Sequence, residues 1–163
     1  MLERTDMRGA VVVELSDRSG TVVHRQRQGN RIVLSGRRLV ADMFAGTGSG
    51  GTPTKVTHVG VGTDGTPPAD GQTALLAERS PRSPISQVDV QNVVEGQDSD
   101  TVQRSRVSLT AVFDFDQANG TEPLREAAVF TADADGVMYN RVLLDSVSKT
   151  NAFKLTVLWD IVF

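Results

Sequence analysis

The chain has 163 residues, of which 39% are hydrophobic and 23% charged, with no cysteine and a formal net charge of −3. A chain of this length can bury roughly 70% of its unfolded surface, so one hydrophobic core is expected without disulfides or metal. The absence of cysteine excludes a disulfide scaffold, a thiolate zinc site and a cysteine nucleophile. Its apolar runs are far shorter than the roughly 20 residues of a membrane helix, and we expect neither a signal peptide nor a membrane partner.

Charge is unevenly distributed along the chain. Residues 1–38 contain eight arginines and four acidic residues, so this part has a net charge of +4 and residues 39–163 have −7. The acidic total predicts no nucleic-acid partner. The basic amino-terminal part predicts either a polar docking surface or arginines that keep a strand soluble.

An amino-terminal β-hairpin is predicted over about residues 10–34. Alternating Val11, Val13 and Leu15 precede a turn at Asp17–Gly20, and a second short strand follows at 21–25. Gly29-Asn30 is typical of a second turn.

One helix is predicted over about residues 35–45. Ser35 is a favoured N-cap residue, and Gly46 supplies the stop. Between them, apolar residues recur at helical spacing: Leu39, Val40, Met43 and Phe44.

The remaining body, about residues 55–163, is predicted to be β with two Gly/Pro-rich loops at 46–53 and 63–72. A short helical turn is expected at 73–79, because Pro81 and Pro84 prevent a longer one. A hairpin with an Asp135-Gly136 turn is expected to join 124–130 to 137–144. Strict alternation predicts two half-buried strands, with inward faces formed by Val107, Leu109, Ala111, Phe113 and Phe115, and by Phe153, Leu155, Val157, Trp159, Ile161 and Phe163.

These elements predict a mainly β fold in one domain spanning 1–163. We expect an antiparallel β-sandwich or open barrel of about seven to nine strands with one packed helix.

No motif for catalysis or cofactor binding is present. The Gly-rich segment 46–52 lacks the lysine of a phosphate-binding loop, and Asp133–Gly136 lacks the further ligands of a calcium loop. His24 and His58 have no recognisable catalytic or metal-binding partner. We therefore expect no enzyme, no cofactor, no metal and no small-molecule substrate.

The order of short motifs nevertheless resembles a known family, the small tail proteins of bacteriophages and phage-tail-like contractile particles. The similarity is to the head domain of tail-collar and tail-fibre proteins and covers about residues 20–163. It depends on the succession of Gly29–Gly46, Val56–Thr63, Thr73–Glu78, Glu122–Phe130, Asp135-Gly136 and Lys149–Ile161.

This resemblance implies a non-enzymatic particle component, made in the host cytoplasm and present in several copies that bind other tail, baseplate or neck proteins. Because no further segment follows the similar region, we expect an adaptor, baseplate or fibre-attachment subunit rather than a complete fibre. A neck, collar, head–tail joining or decoration protein is the alternative. A carbohydrate-binding host-recognition module would need exposed rings at Tyr139 or Trp159, and the alternation predicts that Trp159 is buried.

The basic hairpin is the candidate interface. We hypothesise that residues 18–31 contact an acidic surface on a neighbouring subunit, and that the residues involved are Arg18, His24, Arg25, Arg27, Arg31, Asp114 and Asp116.

Overall fold

The computed structural model describes residues 7–47, 54–96 and 101–163. This part of the chain forms eight strands and one helix. They are β1 (Arg8–Ser16), β2 (Val22–Ile32), α1 (Leu34–Ala45), β3 (His58–Gly62), β4 (Glu78–Glu95), β5 (Val102–Phe113), β6 (Leu124–Phe130), β7 (Met138–Val147) and β8 (Lys154–Val162). The prediction of a mainly β fold with one helix is confirmed.

The strands form a closed antiparallel barrel in the order β1-β2-β7-β6-β3-β4-β5-β8. Closure is made by β8, which pairs along its whole length with β1 and from Leu155 to Val162 with β5. The sheet is therefore a closed barrel rather than a sandwich or an open barrel. The last strand lies between two neighbours and has no unpaired edge.

Alternation in β5 and β8 correctly identifies their inward faces. Leu109, Ala111 and Phe113 are buried, and Trp159 is only 1% exposed. Full burial of such side chains contributes about 1.5–3 kcal/mol each. Phe115 follows the end of β5 and belongs to a turn instead.

The predicted helix is confirmed within one residue, but its start differs. Val33 is the N-cap and makes no side-chain cap. The hydroxyl of Ser35 donates instead to the carbonyl of Met138 in β7 at 2.7 Å, so the N-cap prediction for Ser35 is wrong. Gly46 ends the helix in the left-handed conformation, φ 63°, as predicted.

Two other local predictions are wrong. Gly29 and Asn30 lie inside β2, where they pair with Ala10 and Gly9. Residues 73–77 contain no helix, because the backbone N–H groups of Leu76 and Ala77 donate to the carboxylate of Glu126 and not to helical carbonyls.

The two prolines of β4 coincide with irregular pairing. Pro81 lies where the register between β3 and β4 shifts, and Pro84 is the last residue of β4 that pairs with β3. Proline is tolerated at bulges because no ladder hydrogen bond is required there. From Ile85 onward, β4 pairs with β5.

The Asp135-Gly136 hairpin between β6 and β7 is confirmed. Both residues have positive φ, 53° and 70°, and they lie in a connection in which Thr131 N donates to the carbonyl of Val137. Residues 48–53 of the predicted 46–53 loop lie outside the described residues.

A buried ion pair joins β6, β7 and the loop that follows β3. Glu126 and Arg141 are both fully buried, and Arg141 Nε donates to Glu126 Oε2 at 2.8 Å. Arg141 Nη1 also donates to the carbonyl of Thr66 at 2.7 Å. Glu126 Oε1 accepts from Ala77 N at 2.8 Å. A side chain at Gly62 would collide with this carboxylate and with the Ala77 backbone, so only glycine fits there.

Replacing Arg141 by methionine should destabilise the protein by about 3–5 kcal/mol, because Glu126 would be left as an unpaired buried charge. Urea denaturation measures the loss. The double variant Arg141→Met/Glu126→Gln removes that charge and keeps an acceptor for Ala77, so it should be more stable than the single variant. A single variant within about 1 kcal/mol of wild type would contradict this role.

Candidate protein-binding surface

Three of the predicted interface arginines share the outer face of β2. Arg25, Arg27 and Arg31 are exposed at alternate positions. Arg25 Nε lies 3.2 Å from Glu14, and Arg31 Nε lies 2.8 Å from Asp70. Hydrogen bonding to Arg31 lowers the pKa of Asp70 and correspondingly raises that of Arg31. Arg27 makes no ion pair within the described part of the chain.

Arg18 lies in the turn between β1 and β2, beside the turn that contains Asp114 and Asp116. Its guanidinium is 4.5 Å from the centre of the Phe115 ring and donates to the carbonyl of Asn151 at 3.0 Å. The structure therefore brings Arg18 close to the predicted acidic residues within one molecule. Their contact with a neighbouring subunit stays a prediction.

A buried lysine, Lys149, binds the turn that contains Asp114 and Asp116, which we call the acidic turn. Lys149 Nζ donates to the carbonyl of Asp114 at 2.9 Å and to Asn119 Oδ1 at 2.8 Å. Burial lowers the pKa of Lys149, while Asp114 and Asp116 act in the opposite direction. The two aspartates are themselves exposed, and Asp114 lies 3.8 Å from Lys154 Nζ.

His24 does not share the arginine face. It pairs with Leu15 and alternates with Arg25, so it belongs to the inner face of β2, where Gln26 and Gln28 follow at alternate positions. The carboxamide of Gln26 donates to the carbonyl of Asp145 and accepts from its N–H, at 2.7 and 2.8 Å. β2 and β7 pair only at Arg31 and Ile32. Where the two strands separate, the Gln26 side chain replaces the backbone hydrogen bonds between them.

A second surface, which sequence reasoning missed, lies between α1 and the adjacent end of the barrel. We call it the apolar groove. It combines a cavity of about 240 Å³ with an adjoining depression of about 450 Å³, and both are lined by Val40, Met43 and Phe163. Phe44 lines the depression and is 91% exposed. Helical spacing places these residues on one side of α1, but it does not indicate that the barrel leaves them uncovered.

Tyr139 lines the 240 Å³ cavity and contributes a hydroxyl group to it. Its hydroxyl is buried and has no hydrogen-bond partner among the described residues. Burial raises the pKa of Tyr139 to about 12, so the hydroxyl stays a neutral donor at physiological pH. A buried donor without a partner is costly, and a partner molecule that supplied an acceptor would remove that cost.

The distal parts of β4 and β5, residues 86–95 and 102–108, form an arm beside the groove, and β8 pairs with β5 in this arm from Arg106 to Ser108. Val88 lines the groove, and Val90 and Val94 follow on the same face of β4, with Val90 65% exposed. The opposite face is polar: Arg106 donates to Gln91 at 2.9 Å, and Glu95 pairs with Arg8. The arm therefore has one polar face, and its other face exposes Val88, Val90 and Val94.

The described residues offer little for other kinds of site. Trp159 is buried, as predicted, and so is Tyr139, so neither ring is available as an exposed platform for carbohydrate. In the described ranges, no three His, Asp or Glu side chains come together to hold a metal ion. No helix in the same ranges is long and apolar enough to cross a membrane.

Comparison of the chain with protein-family models, curated proteins and solved structures found no match.

The carboxyl group of Asp17, in the turn that contains Arg18, should have a lowered pKa. Asp17 Oδ1 accepts from the hydroxyl of Ser19 at 2.6 Å and from Thr21 N at 3.0 Å. These bonds, the Ser19 hydroxyl first, lower the pKa of Asp17 below its usual 3.8. Because the pKa is lower in the folded state, the stabilisation is present above about pH 4 and is lost as pH falls through the folded pKa.

NMR titration of the carboxyl groups tests this assignment. Wild-type Asp17 should titrate below 3.8, and Ser19→Ala should raise its pKa. Asp70, whose pKa is lowered by Arg31, is the internal control and should not change. An Asp17 that already titrates at 3.8 or higher in the wild type would contradict the assignment.

Proposed function

We propose that this protein is a non-enzymatic structural subunit of a bacteriophage or phage-tail-like particle. It acts there as an adaptor at the baseplate or at the attachment site of a tail fibre. Its partners are other tail, baseplate or neck proteins and further copies of itself. The proposal places it in the particle after synthesis in the host cytoplasm.

The resemblance of its motif order to tail-collar and tail-fibre head domains supports the class of protein. Three of the segments that carry this resemblance meet at the buried ion pair: Gly62 packs on Glu126, and Leu76 and Ala77 donate to it. Three segments that are separate in the sequence are thus neighbours in the fold.

The apolar groove is the observation that carries the proposal of assembly. Met43 and Phe44 are exposed beside a depression whose other walls are Val40 and Phe163. Contiguous exposed apolar surface beside a pocket is typical of a protein-binding site. An apolar side chain of a neighbouring particle protein would fill the cavity, with a backbone carbonyl of that protein accepting from Tyr139.

Phe44→Ser should remove the protein from particles while leaving its fold intact. Burial of a phenylalanine in an interface contributes about 1.5–3 kcal/mol, so the particle-bound fraction should fall about tenfold or more. The matched control is Leu34→Ser, which changes another exposed residue of α1 that does not line the groove. Both variants should keep the wild-type thermal transition, and quantitative immunoblotting of purified particles measures incorporation.

Immunogold labelling of wild-type particles locates the protein. Gold at the distal tail end supports the adaptor or baseplate role, and gold at the neck supports the collar or joining alternative instead. Abundant particles that stay unlabelled and contain no chain by immunoblot would overturn the particle proposal. Equal incorporation of the Phe44 and Leu34 variants would overturn the role of the groove.

The arginine face of β2 is tested separately. Reversing Arg25 and Arg27 to Glu should abolish incorporation if this face contacts an acidic neighbour. Arg25→Glu removes the exposed pair with Glu14 and places a second carboxylate opposite it, and each effect should cost no more than about 1 kcal/mol, so the protein should stay folded with a slightly lower thermal transition. The control is Arg37→Glu, which reverses another exposed arginine, and incorporation of both variants is measured in the particle assay. Unchanged incorporation of the Arg25/Arg27 variant would show that the arginine face is not a contact.

A further inference from the structure

Among the described residues, the distal part of β4 extends beyond the strand that pairs with its edge. β4 has 18 residues and β3 only five, and β3 pairs with β4 no further than Pro84. From Gln87 to Glu95, β4 pairs with β5 on one side, and no strand of the described residues pairs with its other side. An edge of this kind is a template for another strand.

The pairing of β5 identifies which backbone groups point outward. Ser105 exchanges both of its backbone hydrogen bonds with Phe163, so its N–H and C=O point away from β4. Its partner in β4 is Asn92, whose N–H and C=O must therefore point to the open edge. By alternation, the residues that present N–H and C=O groups there are Val88, Val90, Asn92 and Val94.

This edge has few of the features that usually protect an exposed strand, since Asp89 and Glu95 are its only charged residues. Between Gln87 and Glu95 there is no proline and no lysine. The valines at 88, 90 and 94 are 59%, 65% and 66% exposed, and their β-branched side chains favour extended backbone.

We propose that the β4 edge pairs with the same edge of a second copy of this chain, around a two-fold axis at Gln91. Val88 then lies opposite Val94 of the copy, and Val90 lies opposite Asn92. All four outward-pointing residues of each chain form hydrogen-bonded pairs, which gives about eight backbone hydrogen bonds across the interface. The exposed valine faces of the two arms join in one sheet.

Charge disfavours two other registers, and a third, with the axis at Val90, pairs fewer residues because Val94 would have no partner between Gln87 and Glu95. With the axis at Gln91, Asp89 faces Val93 of the copy and Glu95 faces Gln87, so no like charges are opposed. With the axis moved one residue to Asn92, Asp89 would face Glu95, and with the axis at Asp89 the two aspartates would face each other. Like charges directly opposite one another destabilise a strand pair.

A single engineered cysteine tests the axis, because the chain has no cysteine of its own. Gln91 would form a non-hydrogen-bonded pair with its copy at a Cα separation of about 4.5 Å, which a disulfide can span. Gln91→Cys should therefore oxidise to a covalent dimer. Gln87→Cys is the control, because the two copies of position 87 would be about 27 Å apart along the strands.

Light scattering of the purified wild-type chain measures the association itself. We expect a mass about twice that of one chain. Val90→Pro should return the mass to that of one chain, because it removes an N–H that points to the edge and leaves the β5 ladder intact, whereas Val90→Thr should stay dimeric. Circular dichroism checks that the proline variant is folded. If it is not, cross-linking of the two cysteine variants tests whether the β4 edges pair.

Two results would overturn the proposal. One is a wild-type chain that stays monomeric at every concentration reached, which includes the case where the edge serves a different protein. The other is a dimer in which the Gln91→Cys variant cross-links no better than the Gln87→Cys variant. Phe44→Ser should remain dimeric, so failure of the edge proposal and failure of the proposed particle function can be distinguished.

Discussion

The buried contact between Glu126 and Arg141 is the constraint on which the rest of this fold depends. Two ionised groups without solvent contact need partners for their remaining hydrogen-bonding capacity, and here the loop after β3 supplies them through Thr66, Leu76 and Ala77. Arg141 Nη2 has ion-pair contacts with Glu126 and Asp64 but no hydrogen bond among the described residues. The pair therefore fixes more than β6 against β7. It determines the path of about fifteen residues that have no regular structure, and it requires glycine at position 62.

Polar side chains also complete the barrel where the backbone ladder is interrupted. Gln26 acts as a substitute peptide group toward Asp145, and Lys149 binds the carbonyl of Asp114 below the acidic turn. Both are local solutions to the same requirement, that buried or shielded backbone groups have partners. On the outer face of β2 the arginines are exposed, and two of them pair with Glu14 and Asp70, while Asp116 is exposed in the acidic turn.

Sequence patterns identified the elements whose determinants are local. Alternation located the inner faces of β5 and β8, and the left-handed glycine at 46 located the end of α1. The errors occur where a distant residue supplies the partner. Ser35 donates to Met138 instead of capping its own helix, and the residues after Thr73 donate to Glu126, about fifty positions away. Gly29-Asn30 has turn composition, but β1 pairs with it as strand.

The apolar groove and the β4 edge were not predicted from the sequence, for a related reason. Alternating valines in β4 have the pattern of a half-buried strand. Their face is buried only where the rest of the barrel covers it. Because β3 is so much shorter than β4, the barrel ends before the valines do. Exposure is therefore a property of the mismatch between two strands and not of either sequence alone. Within residues 7–47, 54–96 and 101–163, the same mismatch leaves the β4 edge unpaired beside the apolar groove, since Val88 belongs to both. Pairing at the edge would bring a second copy next to the groove, so occupation of one surface would alter access to the other.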